Sequence, residues 1–202
     1  MSSSPPLLVL ASGSSARRAL LDCVGVSFII DPPGIDEDQI KEAAKRERAS
    51  TQDLAETLAD LKARRISVRH PGALVIGADQ VLEQDGTWFD KPGSRDEARA
   101  QLRLLRGKTH QLVTSAVVIQ DDRRIWHHTQ SARLTMRSFS EAFLEDYLDH
   151  AGEAIFSAVG GYHLEGRGAQ LFSKVEGDYF TILGLPLLPL LDVFRNHGAL
   201  IP

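Results

Sequence analysis

The 202-residue sequence contains a single cysteine, Cys23, and no apolar run long enough to cross a membrane. One cysteine excludes an internal disulfide and a cysteine-based zinc site. The apolar runs fall short of the roughly 18 residues that a membrane helix needs, and the opening segment MSSSPP lacks the pattern of a signal peptide. We therefore expect a cytoplasmic protein without a membrane partner.

Positive charge is also scarce, because 23 lysines and arginines face 27 aspartates and glutamates, for a net charge of -4. Proteins that bind DNA or RNA as polymers are normally basic, so we expect no polymeric nucleic-acid partner. The apolar fraction of 43% and charged fraction of 25% are typical of a globular chain. A chain of this length can bury a substantial core.

Several motifs that would identify a known chemistry are missing. No G-x-G-x-x-G follows the first strand and no G-x-x-x-x-G-K-[ST] occurs, which disfavours a doubly wound parallel nucleotide-binding fold and a P-loop. The absence of G-x-S-x-G gives no indication of a serine hydrolase. The seven histidines lack H-x-x-x-H or H-E-x-x-H spacing, so we interpret them as structural or surface residues.

Strand-like and helix-like segments alternate irregularly along the chain. Apolar or alternating runs predict strands in the segments LLVLA, SFII, GALVIGADQV, HQLVTSAVVIQ and RRIWHHTQSARLTMRSF. Tight turns are predicted at Asp85-Gly86 and at Asp121-Asp122. Helix starts are predicted at Ser14 or Ser15, Ser50 or Thr51, the capping boxes Ser94/Glu97 and Ser138/Glu141, and Pro186. The order predicts an α/β fold with a mixed sheet flanked by helices.

The junction between the first strand and the first helix carries Ser12, Ser14, Arg17 and Arg18. A helix N-terminus offers free backbone N–H groups, and arginine presents a planar fork of donors that suits phosphate. The junction is therefore a candidate phosphate site. Exposed arginines on a helix are more often simply solvated, so this motif alone is weak.

Carboxylates at the ends of two other elements are candidates for metal binding and catalysis. Asp36, Glu37 and Asp38 follow a Pro-Gly turn and could bind Mg²⁺ or Mn²⁺, or could form the acidic first turn of the next helix. Asp79 ends a buried strand, where α/β sheets place catalytic groups. Gly77 and Ala78 beside it are small, so we expect them to keep the backbone accessible to a ligand.

Two lysines complete the set of candidate residues. Lys91 precedes a proline beyond the predicted hairpin, and Lys62 lies within a helix, where a lysine is usually only solvated. Together with the arginines, they could neutralise a polyphosphate.

As a set, these clusters resemble the Maf family of nucleoside triphosphate pyrophosphatases, once described as septum-formation inhibitors. The resemblance runs from residue 7 to about residue 198, over the segments LASGSSARRALL, IDED, LKA, VIGADQV, DKPG, LRGKTHQLVTSAVV and VEGDYFTILGLPLLPLL. It implies a single Maf-like domain over residues 1–202, with an elongated mixed α/β sheet and a cleft between two lobes.

The resemblance also implies the reaction and the residues that perform it. The family cleaves a nucleoside triphosphate between the α and β phosphates, with a divalent metal, Mg²⁺ or Mn²⁺, and is linked to nucleotide house-cleaning. Carried over by position, Glu37 and Asp79 bind the metal, and Asp79 orients or deprotonates the attacking water. The substrate-binding residues implied are Ser12, Ser14, Arg17, Arg18, Lys62 and Lys91.

Departures from the family pattern bear on the choice of base. Ser15 stands where the family usually has proline, and Ala16 stands where the dTTP- and UTP-hydrolysing branch has its first arginine. Gln80 and Glu165 are also more similar to the branch acting on 7-methyl-GTP. A carboxylate at Glu165 could accept hydrogen bonds from the N1–H and amine of guanine. The dTTP/UTP specificity remains the alternative.

Two other hypotheses stay open at the level of the sequence. A non-catalytic nucleotide-binding regulator of cell division would need the arginines and lysines but no carboxylate near the α phosphate. A phosphatase releasing the γ phosphate could use the same residues, and only the products separate it from a pyrophosphatase. The oligomeric state is open, with a homodimer as one alternative.

Overall fold

The computed structural model describes residues 5–202, and most of the MSSSPP segment, in which no signal peptide is expected, lies outside the described residues. The strands form a seven-stranded sheet in the order Ile29–Ile30, Leu8–Ala11, Leu74–Gln84, Thr109–Gln120, Arg123–Met136 and Phe172–Glu176, with Thr87–Phe89 paired to Leu74–Gln84. The first three strands in this order are parallel to one another, whereas Thr87–Phe89 and Phe172–Glu176 are antiparallel to the strands with which they pair. The predicted mixed α/β sheet flanked by helices is confirmed.

The elements follow one another with short connections. The strands are β1 (Leu8–Ala11), β2 (Ile29–Ile30), β3 (Leu74–Gln84), β4 (Thr87–Phe89), β5 (Thr109–Gln120), β6 (Arg123–Met136) and β7 (Phe172–Glu176). The helices are α1 (Ser15–Cys23), α2 (Glu37–Glu47), α3 (Thr51–Ser67), α4 (Arg95–Leu105), α5 (Glu141–Ala151), α6 (Tyr179–Ile182) and α7 (Leu187–Asn196). Short 3-10 turns lie at Gly152–Phe156, Val159–Gly161 and Arg167–Leu171. Within residues 5–202 no helix is long and apolar enough to span a membrane.

The chain divides into two compact units. Unit 1 contains the described part of Met1–Asp79, together with Thr114–Gln130 and Gly184–Pro202. Its buried core joins α3 to strands β1, β3 and β5 through small and β-branched side chains, which allow a close approach between helix and sheet. The members are Val9, Ala11, Ala59, Ala63, Ile66, Ala73, Val75, Val117 and Ile119.

Unit 2 contains Gln80–Val113 and Ser131–Leu183. Its core uses larger apolar side chains, including the buried Leu82, Leu105 and Tyr147. Helices α4 and α5 are also linked by the ion pairs Arg95–Glu145, Arg99–Glu145 and Arg103–Glu141. Solvent-exposed ion pairs of this kind contribute little to stability, so the apolar core carries most of the stability of this unit.

Most of the predicted turns and helix starts are present. Ser50 forms a complete capping box with Asp53 at the start of α3, and both residues of the Asp85-Gly86 turn have positive φ, as a type I′ turn requires. Ser94 caps α4, but the Glu97 carboxylate accepts from the N–H of Gly93 instead of completing a box.

The predicted capping box Ser138/Glu141 is wrong. Helix α5 begins at Glu141, and its N-cap is Ser140, whose hydroxyl accepts from the N–H of Phe143 at 3.2 Å. The Glu141 carboxylate instead accepts from Arg103 of α4 and from Arg106, the residue that follows α4. The Glu141 carboxylate thus contacts arginines outside its own helix and not the backbone of Ser138, as the predicted capping box requires.

Gly77 determines how closely α3 lies against β3. A Cβ atom at this position would lie 2.1 Å from the carbonyl oxygen of Ala59 and 2.8 Å from the Cβ of Ala63. Alternate residues of a strand share a face, so Gly77 and Asp79 both face α3, the helix that carries Lys62. The interpretation that Gly77 leaves room for a ligand is therefore wrong, because the main chain of α3 fills that space.

We expect Gly77→Ala to lower the free energy of unfolding by about 1–3 kcal/mol or more, because an added methyl group must displace a packed helix backbone. The same shift would move Lys62 away from Asp79 and lower activity. Urea denaturation measures the first effect. Gly13→Ala is the control, since nothing lies within 4 Å of its Cβ position, and it should change stability by less than about 0.5 kcal/mol. Equal stability of the two variants would contradict this account.

Candidate active site

The loop between β1 and α1 is held by its own serines. Ser14 is the N-cap of α1, where its hydroxyl accepts from the N–H of Arg17 at 3.4 Å, and its own N–H donates to the Ser12 hydroxyl at 3.2 Å. Nη1 of Arg17 also donates to the Ser12 hydroxyl, at 3.1 Å. The predicted helix start is confirmed. The loop is fixed before any ligand arrives, with the N-terminal end of α1 available to an anion.

Arg17 is buried and its guanidinium is held in place. Its Nε donates to the carbonyl oxygen of Gly184 at 2.8 Å, and only 9% of the residue is exposed. Burial lowers the pKa of Arg17, while the charges of Asp79 and Glu37 act in the opposite direction. Gly184 has a φ of +100°, and a Cβ there would lie 3.3 Å from Nε of Arg17. The backbone conformation and the close approach of Arg17 both favour glycine at this position.

Arg18 lies in a different environment from its neighbour. Its side chain is 63% exposed and forms an ion pair with Asp22, one turn further along α1, at 3.2 Å. Its predicted role in phosphate binding therefore has less structural support than that of Arg17, although an exposed side chain can reorient toward a ligand.

Lys62 lies between two carboxylates. Its Nζ is 2.5 Å from Oδ1 of Asp79 and 2.7 Å from Oε1 of Glu37. The side chains of Lys62 and Asp79 are only 7% and 8% exposed, whereas that of Glu37 is 40% exposed. Asp36 caps α2 by accepting from the N–H of Gln39 at 3.0 Å. The interpretation of the segment as the acidic start of a helix is confirmed, with Asp36 as the N-cap, and Glu37 in the first turn also contacts the lysine.

Four charged side chains of unit 1 interact electrostatically, namely Asp79, Arg17, Lys62 and Glu37. Burial raises the pKa of Asp79, the charges of Lys62 and Arg17 oppose that rise, and Glu37 adds to it. A carboxylate with a raised pKa is better matched to accepting a proton near neutral pH. The two cations balance the two carboxylates, which explains how Arg17, Lys62 and Asp79 can be buried close together.

The other predicted site residues belong to unit 2. Gln80 uses its amide nitrogen to donate to the carbonyl oxygens of Thr181 and Ile182, both at 3.0 Å. Lys91 is exposed, and its charge acts on His163. Glu165 has its Oε1 atom 3.2 Å from Nδ1 of His163.

His163 is a residue of interest that the sequence interpretation passed over. Its Nε2 lies 2.6 Å from the Ser157 hydroxyl and 3.2 Å from the carbonyl oxygen of Ala154. The Ser157 hydroxyl can donate to the same carbonyl, at 2.7 Å. Nδ1 faces Glu165 favourably when it carries a proton. Accordingly, Glu165 raises the pKa of His163, and His163 lowers the pKa of Glu165.

This arrangement has the connectivity of a Ser–His–acid triad. In a triad the serine hydroxyl donates to an unprotonated Nε2. Here the carbonyl oxygen of Ala154 lies within reach of both the Ser157 hydroxyl and Nε2, and it competes for their protons. Ser157 does not stand in a G-x-S-x-G motif. The H-L-E spacing of His163 and Glu165 was the only sequence signal for this pair.

The carboxylates of Glu37 and Asp79 suit one kind of metal ion. Within residues 5–202 no group of three or more His, Cys, Asp or Glu side chains could hold a metal. Mg²⁺ is commonly bound by only one or two carboxylates together with substrate phosphates. Because both carboxylates converge on the same Nζ atom, they fit a hard divalent ion that is bound jointly with a phosphate ligand.

Fold and site together define an α/β protein whose first strand–helix junction holds serine and arginine donors beside a cluster of lysine and carboxylates. The comparison with family models is specific: the model described as Maf-like protein matches residues 7–197. The chain belongs to the Maf family.

Curated relatives support the same assignment. A protein named nucleoside triphosphate pyrophosphatase from Paramagnetospirillum magneticum is 56% identical over 194 residues, covering 96% of this chain and 100% of the relative. A protein of the same name from Rhodospirillum rubrum is 53% identical over 201 residues, covering 100% of both chains. A solved nucleoside-triphosphatase / dITP/XTP pyrophosphatase from Mycobacterium abscessus has a TM-score of 0.35 and 16% identity, covering 73% of this chain and 95% of that one. This last likeness is too weak to support a conclusion.

Proposed function

We propose that this protein is a nucleoside triphosphate pyrophosphatase, which hydrolyses the bond between the α and β phosphates to give a nucleoside monophosphate and pyrophosphate. The observation that carries the proposal is the buried contact of Lys62 with Asp79 and Glu37, in the same unit as the Arg17 loop. Membership of the Maf family and the names of the relatives support it. Because the family match spans both units, we also propose that the chain acts as one Maf-like domain.

The phosphates bind to the fixed donors of unit 1. The guanidinium of Arg17, the hydroxyls of Ser12 and Ser14 and the first N–H groups of α1 supply positive charge and hydrogen bonds. Arg18, which is exposed, adds charge by reorienting toward the ligand. Such donors accelerate phosphoryl transfer by stabilising the charge that develops on the phosphate oxygens and on the departing pyrophosphate.

Asp79 acts on the attacking water. Its buried carboxylate, with a raised pKa, is suited to orient the water and accept its proton. Before substrate binds, Lys62 holds one oxygen of that carboxylate and so fixes the rotamer of Asp79. Glu37 and Asp79 would hold Mg²⁺ or Mn²⁺, and the bound ion would neutralise phosphate charge and polarise the α phosphorus.

The experiment that tests this function identifies the products. The purified protein is incubated with Mg²⁺ and each of dTTP, UTP, GTP and 7-methyl-GTP, and the products are separated by ion-exchange chromatography. Monophosphate with pyrophosphate supports the proposal. Diphosphate with inorganic phosphate would show a γ-phosphatase instead. Binding of nucleotides without turnover would favour a non-catalytic regulator.

For base choice we propose a guanine nucleotide, including 7-methyl-GTP, with dTTP and UTP as the alternative. Glu165 offers a carboxylate that can accept from the N1–H and amine of guanine, and its contact with His163 fixes one of its oxygens. A pyrimidine lacks this paired donor edge. Gln80 influences base choice only indirectly, because its amide protons are already donated to the backbone of α6.

We expect Glu165→Gln to lower the preference for guanine nucleotides over dTTP by roughly 10–100-fold in kcat/KM, the range for losing a hydrogen bond to a charged group. The preference is measured by competing the two substrates in one reaction. Glu153→Gln, an exposed carboxylate in the same unit, is the control and should leave the preference unchanged. An unaltered preference in the Glu165 variant would remove Glu165 from base recognition.

A further inference from the structure

The charged side chains of unit 1 neutralise one another, so a metal ion gains little electrostatic stabilisation by binding there in the absence of substrate. Arg17 and Lys62 balance Glu37 and Asp79, so the formal charge of this group of four is zero. The ammonium of Lys62 contacts one oxygen from each carboxylate, at 2.5 and 2.7 Å. These contacts place a monovalent cation where the two acidic side chains converge.

A divalent ion bound to both carboxylates would have to compete with this ammonium. Two cations held close together in a poorly solvated site repel each other strongly. The side chain of Lys62 is only 7% exposed, so water screens this repulsion weakly. In the absence of another anion, the protein therefore favours Lys62 over the metal.

A triphosphate changes this balance. It brings several negative charges and many acceptor oxygens, and the flexible four-carbon stem of lysine lets its ammonium exchange one acceptor for another. Once Lys62 donates to phosphate, the carboxylate oxygens it held become available. The added negative charge also offsets the charge of a divalent ion.

We propose that Lys62 is an internal cation that keeps divalent metal from Glu37 and Asp79 until a triphosphate draws the ammonium away. Metal and nucleotide consequently bind together, and the nucleotide-free protein is a poor metal binder. The coupling to nucleotide rests on the proposed function, whereas the exclusion of metal from the free protein stands on the geometry alone.

The test measures binding of Mn²⁺ to the full chain without nucleotide, by following the free Mn²⁺ signal in electron paramagnetic resonance. Lys62→Met should bind Mn²⁺ at least about tenfold more tightly than the wild type, because the competing charge is gone. The gain should disappear when Asp79→Asn is added. Lys45→Met, which removes an exposed lysine paired with Glu42, is the control and should bind as the wild type does.

A second comparison does not depend on the folding of Lys62→Met. If Lys62 blocks the site, the wild type and Asp79→Asn bind Mn²⁺ equally weakly, since no carboxylate pair is open in either. Tighter binding by the wild type than by Asp79→Asn would overturn the proposal, as would unchanged affinity in a folded Lys62→Met protein. Because no nucleotide is present, these results are independent of whether the protein hydrolyses one.

Discussion

Replacing Asp79 by asparagine is expected to lower kcat for nucleoside triphosphate hydrolysis by a factor on the order of 10²–10³ or more. Asparagine has nearly the same shape but cannot accept a proton from water or carry the charge that faces Lys62. The fold should survive, because Lys62 keeps its contact with Glu37 at 2.7 Å. The measurement is kcat at saturating Mg²⁺ and substrate, with thermal unfolding of the same preparation.

The matched control for this substitution is Asp38→Asn. Asp38 is exposed in the first turn of α2, next to Glu37 in the sequence. Its replacement should leave kcat close to that of the wild type. Near-normal turnover by a folded Asp79→Asn protein would exclude Asp79 as the group that acts on water.

The second large effect is expected to separate the two adjacent arginines. Arg17→Gln should lower kcat/KM by a factor on the order of 10²–10³, as the loss of a preorganised donor does. Arg17 is buried and is held by Ser12 and Gly184. Arg18→Gln removes the same charge from an exposed side chain paired with Asp22, so its effect should stay below about tenfold, in line with an exposed ion pair.

The two variants control for each other, because they differ by one position on one helix and both remove a single positive charge. Steady-state kinetics on the fastest substrate provide the comparison. Equal effects would show that total charge matters rather than the fixed position of Arg17. A larger loss in Arg18→Gln would mean that Arg18 turns inward to bind the phosphates.

Local features of the fold were predictable from the sequence because their causes are local. A hydroxyl residue before a helix satisfies backbone donors within the next three residues, so Ser14, Ser50 and Ser94 identified helix starts that the structure has. The prediction at Ser138 was wrong because Ser140 caps α5, and Glu141 pairs with Arg103 of α4 and with Arg106, which follows α4. A three-residue pattern cannot predict a contact with residues that are distant in the sequence.

The candidate site was predictable in its members but not in its contacts. Polar residues at the ends of apolar elements indicated Ser12, Asp79 and Glu37, and the family resemblance strengthened Lys62, which was a weak candidate as a helix lysine. The sequence could not show that Lys62 contacts both carboxylates, or that Arg17 rather than Arg18 is buried. These facts depend on how separate elements pack, which a pattern within one element does not determine.

Gly77 illustrates why the packing of separate elements could not be predicted from the sequence. A glycine beside a candidate catalytic aspartate is typical of a backbone that a ligand approaches. In the structure the approaching group is the backbone of α3, at a distance that leaves no room for a Cβ atom. The residue is important to the site, but through the helix that carries Lys62.

The most direct test of the central claim is hydrolysis of the preferred nucleoside triphosphate in ¹⁸O-water, followed by mass spectrometry of the products. If the site activates water against the α phosphorus, the label enters the nucleoside monophosphate and the pyrophosphate stays unlabelled. Label in pyrophosphate or in inorganic phosphate would place the attack on the β or γ phosphorus. That result would contradict the roles proposed for Asp79, Lys62 and Arg17.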